Sequence, residues 1–193
     1  MSQRRVDYDR IGRRYDDETV RQREADPKLI EYLSAHESAD GEGLAMLDIA
    51  CGTGIQLLAN GKRFPALKMQ GLDLSAAMLE AARAKRPDIE WLQGDASKLP
   101  FSDASFDYVS SQFCFHHFSD KAAVLAEIER VLRPGGRYVM LNMVPWRMRD
   151  WEVYEYFPEA FALDERDFWL EIRIQQVLER CGLTAVKFEY QER

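Results

Sequence analysis

The chain has 193 residues, 46% hydrophobic and 31% charged, with a formal net charge of −7. That length supports one domain with a proper core, so residues 1–193 read as a single unit, and the composition excludes a disordered or fibrous chain. The acidic balance argues against a nucleic-acid partner. Cys51, Cys114 and Cys181 are widely spaced and odd in number, which argues against a disulfide framework and for a reducing, cytoplasmic setting. No apolar run approaches the length of a membrane span, and Met1-Ser2-Gln3-Arg4-Arg5 leads into no apolar stretch of the signal-peptide kind.

Residues 1–36 are polar and charged and predict a helical N-terminal segment. Tyr8, Ile11, Tyr15 and Val20 recur at loose helical spacing, and Leu29, Ile30 and Leu33 mark a firmer helix. The basic pairs Arg4-Arg5 and Arg13-Arg14, with Arg147 and Arg149, are interleaved with acids and read as solvated faces. Ala45 to Ala50 is an apolar run that predicts a buried strand. It ends in Gly52-Thr53-Gly54, and Ile55 and Leu58 begin a helical pattern. Strand, glycine turn and helix in succession build a nucleotide pocket at the carboxyl edge of an open α/β sheet. A purely structural strand-to-helix turn reads the same way in isolation, so the glycine turn gains weight only with the acids spaced along the later strands.

A second strand, Lys68 to Leu74, carries Asp73 at its end, and Ser75 is placed to cap the next helix. An acid at this position holds the two hydroxyls of an adenosine ribose in such folds. The plain alternative is an acid favouring the helix start, but Ser75 already serves as cap. A third strand ends in Gln93-Gly94-Asp95-Ala96. Asp95 can accept from an adenine amine while Ala96 offers its backbone N–H; a simple turn aspartate is the structural alternative. A dinucleotide oxidoreductase competes for this layout but wants a third glycine where Leu57 stands. Its pyrophosphate would also be poorly served among Asp48, Asp73 and Asp95. Acidic surroundings suit a ligand with adenosine, no phosphate and a positive sulfur.

Strands and helices alternate from residue 45 to 144, which predicts a mainly parallel sheet with helices on both faces. Tyr108 to Phe113 is the fourth strand. Val124, Leu125, Ile128, Val131 and Leu132 share one face of a helix from about Asp120, which stops at Arg133-Pro134-Gly135-Gly136. Arg137 to Val144 is the fifth strand. Residues 146–163, rich in Trp, Tyr and Phe, predict a short helix interrupted at Pro158. A helix from about Asp167 to Cys181 and a sixth strand, Ala185 to Tyr190, complete the pattern.

Five blocks now stand in order: Asp48-Ile-Ala-Cys-Gly-Thr-Gly54, Gly71-Leu-Asp-Leu-Ser-Ala-Ala-Met-Leu79, Gln93-Gly-Asp-Ala with Leu99-Pro-Phe101, Phe106-Asp-Tyr through Phe118, and Leu132-Arg-Pro-Gly-Gly-Arg137. The sequence resembles the class I S-adenosylmethionine-dependent methyltransferases, in the branch of the ubiquinone/menaquinone type, closely over residues 8–144. The resemblance implies a Rossmann-like three-layer α/β sandwich. The family's last, antiparallel strand lies between the fifth and sixth, and this sequence stops where it should begin. An edge left open in this way invites pairing with a second copy, a homodimer.

The resemblance also implies S-adenosyl-L-methionine as cofactor, with S-adenosyl-L-homocysteine as product. Its binding residues would be Asp48, Ala50, Gly52, Thr53 and Gly54 on the first block, Asp73, Leu74 and Met78 on the second, and Asp95 and Ala96 on the third. Ser111 would face the methionine part, with Gln112 close by. Tyr15, in a Tyr-Asp segment like the family's mobile cover, would close over the cofactor, with residues 1–36 as lid, 45–144 as cofactor-binding core and 145–193 on the acceptor side.

Methyl transfer is an in-line displacement at an already activated carbon, so alignment alone can supply roughly 7–11 kcal/mol. A base matters only if the small organic acceptor must lose a proton. His116 or His117 can serve, His116 being nearer the strand end, although either can equally anchor the loop. A zinc site from Cys114, His116 and His117 lacks a fourth ligand, so no metal is expected. The competing function classes are a catalytically silent S-adenosylmethionine-binding protein and a nucleotide-dependent oxidoreductase.

Overall fold

The structure, a computed structural model, describes residues 7–11, 15–16, 23–36 and 40–190. Arg4-Arg5, Arg13-Arg14 and Val20, singled out in the sequence, lie outside the described residues. Five strands form one parallel sheet: β1 (Ala45–Ile49), β2 (Lys68–Asp73), β3 (Glu90–Gln93), β4 (Phe106–Gln112) and β5 (Leu132–Leu141), in the order β3-β2-β1-β4-β5. The order reverses at β1, so the crevice beside its carboxyl end is where a ligand can enter.

Alternation along β1 sorts the two faces. Ala45, Leu47 and Ile49 join a core with Val124, Leu125 and Ile128 of α5 (Lys121–Val131) and Ile174 and Leu178 of α8 (Glu171–Arg180). Met46 joins a second core with Leu29 and Leu33 of α2 (Pro27–Ser34), Leu57 of α3 (Ile55–Arg63), and Leu79 and Ala82 of α4 (Ala76–Lys85). All five residues of β1 are buried, as expected for a strand covered on both sides. The three-layer α/β arrangement predicted from the sequence is therefore present.

Local chemistry starts the helices. Asp26 caps α2 by accepting from the Lys28 N–H with Pro27 next to it, Ser75 caps α4 through the Met78 N–H, and Asp120 caps α5 through the Ala123 N–H. The aromatic stretch gives α6 (Glu152–Tyr156) and α7 (Pro158–Asp167), divided at Pro158. A four-residue α1 (Tyr8–Ile11) lies against α4.

Three expectations need correction. The fifth strand begins at Leu132 rather than Arg137, because the Arg133–Gly136 turn is absorbed as an irregularity in the pairing with β4. The last helix begins at Glu171 rather than Asp167, the preceding residues belonging to α7 and its exit. The sixth strand does not form: residues 184–190 carry no strand pairing. Val186 and Phe188 still pack on the core, but among the described residues no strand pairs with this segment, and side-chain burial alone does not make a ladder. Among the described residues no helix is long and apolar enough to cross a membrane.

Candidate active site

The site is built where β1, β2, β3 and β4 end. Asp48 is 3% exposed, and its Oδ1 accepts the Ser110 hydroxyl of β4 at 2.6 Å. Burial pushes its carboxyl up to about 7, against the pull of that hydrogen bond. Beyond it, Ala50 has φ +53° and Gly52 φ +55°. A non-glycine residue in that region is strained and is held only by its surroundings. Phe113, just past β4, also has φ +53°, so the chain leaves both strands flanking the crevice through the same rare conformation.

The two glycines of the turn have different reasons. A Cβ at Gly52 would meet nothing within 4 Å, leaving open space for a ligand. A Cβ at Gly54 would fall 2.3 Å from the Trp91 ring. Gly54 is therefore small because Trp91 of β3 packs under the turn, a requirement invisible in the motif. Thr53 is buried and Met78 is 1% exposed, whereas Leu74 stands 63% exposed at the start of α4.

Asp73 is clamped by the backbone. Its Oδ2 accepts the Gly52 N–H at 2.7 Å and its Oδ1 the Ser75 N–H at 2.9 Å. Burial raises its pKa, and these amide bonds work in the opposite direction. The carboxylate thus ties the glycine turn of β1 to the helix start after β2. Asp95 shapes its own turn, with Oδ1 accepting both the Ser97 N–H and hydroxyl at 2.8 Å, and Ala96 beside it is buried.

The N-terminal segment is laced across these ends. Asp9 accepts the Ser75 hydroxyl at 2.6 Å and the Ala77 N–H at 3.3 Å. Asp16 accepts the Thr53 hydroxyl at 2.6 Å and pairs with Lys85, which also donates to the Thr53 carbonyl at 2.8 Å. Tyr8 hydrogen-bonds His117 Nε2 at 2.8 Å and meets Tyr15 edge-on, with ring centroids 6.3 Å apart. Sequence reasoning placed Asp9 and Asp16 in the Tyr-Asp segment without finding their partners, and missed Lys85. The signal was present, since each acid directly follows a tyrosine.

On the β4 side, Ser111 is fully buried and its hydroxyl is 2.8 Å from that of Tyr138 on β5. Gln112, next to it, reaches Arg23 instead. His116 stacks on Phe168, centroids 4.4 Å apart and planes 14° from parallel. Burial lowers its pKa, against the pull of a contact with the Asn142 side chain, and keeps the ring neutral near pH 7. His117 is exposed and meets Tyr8. Among the described residues no group of three or more His, Cys, Asp and Glu is arranged to hold a metal. A cavity of about 600 Å³ opens at the opposite, amino edge of the sheet, lined by Lys68, Gln70, Phe101 and Arg133 among others. It shares no residue with the acid-tipped strand ends.

This geometry has close parallels. The methyltransferase domain family matches residues 47–140. The chain is 33% identical over 175 residues to the demethylmenaquinone methyltransferase of Lactococcus lactis, covering 78% of this chain and 69% of that protein. It is 46% identical over 120 residues to the demethylmenaquinone methyltransferase of Chlorobaculum tepidum, covering 61% and 49% respectively. The chain spans about half the length of several curated relatives that it matches. Among solved structures it resembles a chain of the complex between the Haloferax volcanii Trm112 methyltransferase activator and a methyltransferase, at 25% identity and TM-score 0.68, over 92% of this chain and 76% of that one. It also resembles Haemonchus contortus phosphoethanolamine N-methyltransferase 2 in complex with S-adenosyl-L-methionine, at 27% identity and TM-score 0.59, over 73% and 33%. With its acid-tipped parallel strands and glycine turn, the chain belongs to the class I S-adenosylmethionine-dependent methyltransferases.

Proposed function

We propose that this protein transfers a methyl group from S-adenosylmethionine to a small aromatic acceptor of the quinol type. The observation that carries the cofactor half is the set of carboxylates at the ends of three adjacent strands around an open glycine turn, Asp48, Asp73 and Asp95. The acceptor class is supported by the relatives, named as demethylmenaquinone methyltransferases, and by the stacked rings of His116 and Phe168.

When bound, S-adenosylmethionine supplies a methyl carbon already activated by positive sulfur. Asp73 would hold the ribose hydroxyls, Asp95 and Ala96 the adenine edge, and the backbone at Ala50 and Gly52 would border the sulfur. Leu74 would cover the adenine, and Thr53, Gly54 and Met78 support the turn and the helix start behind it. Tyr15 and the lid exclude water, and Ser111 fixes the end of β4 through Tyr138. His116, kept neutral by burial, would accept the proton that the acceptor gives up as its ring carbon gains the methyl. The open outer edge of β5 would be the place where two copies pair, and the net charge of −7 gives nucleic acid no footing. The protein would act in the cytoplasm.

Transfer of labelled methyl to a short-chain demethylmenaquinol analogue tests this reading. His116→Ala should lose ~10²–10⁴ in turnover while keeping its affinity for S-adenosylhomocysteine. Turnover within a few fold of wild type would make the histidine a loop anchor and leave catalysis to alignment. Binding of S-adenosylhomocysteine without methylation of any acceptor would mark a silent binding protein.

A further inference from the structure

We infer that Asn142 is a positioning residue for His116: its Oδ1 accepts from Nδ1–H, fixes the ring as that tautomer, and leaves Nε2 as the atom that takes a proton from the acceptor. The inference rests on the proposed role of His116 and deepens it.

The ends of two strands bring the pair together. The Phe113 N–H, just past β4, donates to the Leu141 carbonyl at the end of β5 at 2.7 Å. Beyond this rung one chain enters a short turn at Phe115–His117, and the other leaves the sheet as Asn142. The turn is tied down by Lys121 of α5, 9% exposed, which donates to the carbonyls of His116 at 3.3 Å and Phe118 at 2.9 Å. The buried Phe168, stacked on His116, then sets the plane of the ring.

Stacking leaves one freedom. A half-turn of the ring keeps its plane and exchanges the Nδ1 edge for a C–H edge. A polar partner decides between the two, and the hydrogen bond made by one ring nitrogen decides which nitrogen carries the proton. The Asn142 side chain lies against His116. His116 Nδ1 and Asn142 Oδ1 are both buried atoms, and among the described residues neither is hydrogen-bonded to any other group. Holding two such atoms apart is costly, whereas pairing them satisfies both. The contact with Asn142 acts to raise the pKa of the ring, against burial, the sign expected of an oxygen accepting from it.

The residue type fits the task. With hydrogen on Nδ1, Nε2 holds a lone pair. It takes one proton from the acceptor, whose electron pair goes to the carbon gaining the methyl, while the sulfur keeps the pair of the bond that breaks. The imidazolium that results keeps its Nδ1–H on Asn142. A carboxylate in this place would orient the ring equally well but favour its charged form, which cannot act as a base. The amide orients without charging. The other groups around the ring are Lys121 on α5 and Asp167 at the end of α7, which act on it in opposite directions. Asp167 is gripped at both oxygens by Arg166. The His117 ring lies 3.9 Å away and is bonded to Tyr8.

Ring-nitrogen NMR of histidine-labelled protein tests this, and the chain has 3 histidines to resolve. The His116 signals, identified by their loss in His116→Ala, should show the Nδ1–H tautomer in the wild type. Asn142→Leu should move them to Nε2–H. It should also lose about 10- to 100-fold in kcat, with acceptor KM and S-adenosylhomocysteine affinity within twofold. Asn142→Asp should keep Nδ1–H and move the acid limb of the kcat profile up by about one pH unit, recovering turnover above it. Melting curves that match the wild type would exclude unfolding as the cause of either change. An Nε2–H tautomer in the wild type, as from an amide turned to donate, would overturn the assignment. So would an unchanged tautomer in Asn142→Leu. Undiminished turnover in His116→Ala, with the Nδ1–H tautomer present, would remove the base reading and still support Asn142 as the group that fixes the ring.

Discussion

The two halves of the sheet's carboxyl edge are assembled differently. On the β1–β2–β3 side, Asp73 and Asp95 are fixed by N–H groups of their own turns and neighbours. On the β4–β5 side, His116 is placed by Phe168, which enters between α7 and α8, and Ser111 by Tyr138. The first half is preorganised by backbone, the second by side chains distant in sequence. A backbone-held site survives change elsewhere in the chain, whereas a stacked one is re-specified by any segment that supplies a ring. This division suits a cofactor that stays the same and an acceptor that differs between relatives.

The contrast breaks most sharply at Asp73. Asp73→Ala removes the acceptor for two backbone donors as well as the proposed ribose contacts. At roughly 1.5–3 kcal/mol for each charge-assisted bond lost, S-adenosylhomocysteine affinity should fall at least ~100-fold by calorimetry. A value within twofold of wild type would sink the assignment.

The glycine turn separates packing from ligand approach. Gly54→Val drives a Cβ into Trp91 at φ +75°, so its urea midpoint should report a loss of about 3 kcal/mol or more. Gly52→Ala meets open space, and only its φ of +55° costs, about 1–2 kcal/mol. Its S-adenosylhomocysteine affinity should suffer more than its stability. Equal stability losses for the two variants would refute the distinction.

Asp48 sharpens the comparison through pH. Its pKa is about 7 in the folded protein against an ordinary 3.8. Between those values the folded state binds more proton than the unfolded one, so this group lowers stability as pH rises through the window. Asp48→Asn, which keeps an acceptor for Ser110, should match wild type near pH 4. It should gain progressively to a plateau above pH 7, by about 2 kcal/mol, below the ceiling of ~4 kcal/mol set by the full shift. A constant difference across pH, measured by denaturant titration, would show that the burial of this carboxyl is not what matters.

The smallest effect belongs to the N-terminal segment. Tyr8→Phe removes one exposed hydrogen bond to His117, worth about 0.5–1 kcal/mol. Hydrogen exchange in the residues around Tyr8 and Tyr15 should quicken a few fold with no change in melting temperature, and saturating S-adenosylhomocysteine should slow it again. Unaltered exchange in both experiments would reduce the segment to simple packing.

What the sequence determined by itself was local. Apolar runs, Ser75 as a cap, the glycine turn and the acids at the strand ends were all legible, because strand, cap and turn chemistry is set by residues within a few positions of one another. The tertiary structure decided the rest. A sixth strand was expected over Ala185 to Tyr190, yet no ladder forms, because a strand exists only with a hydrogen-bonded partner. Gly54 answers to Trp91, 37 residues away in the chain. Asp9 and Asp16 reach Ser75 and Thr53, 66 and 37 residues away, Arg23 meets Gln112 only because β1 and β4 are neighbours, and the stacking of His116 waits on Phe168. Such contacts depend on which elements the folded chain brings together, and side-chain spacing along the sequence carries no record of that distance.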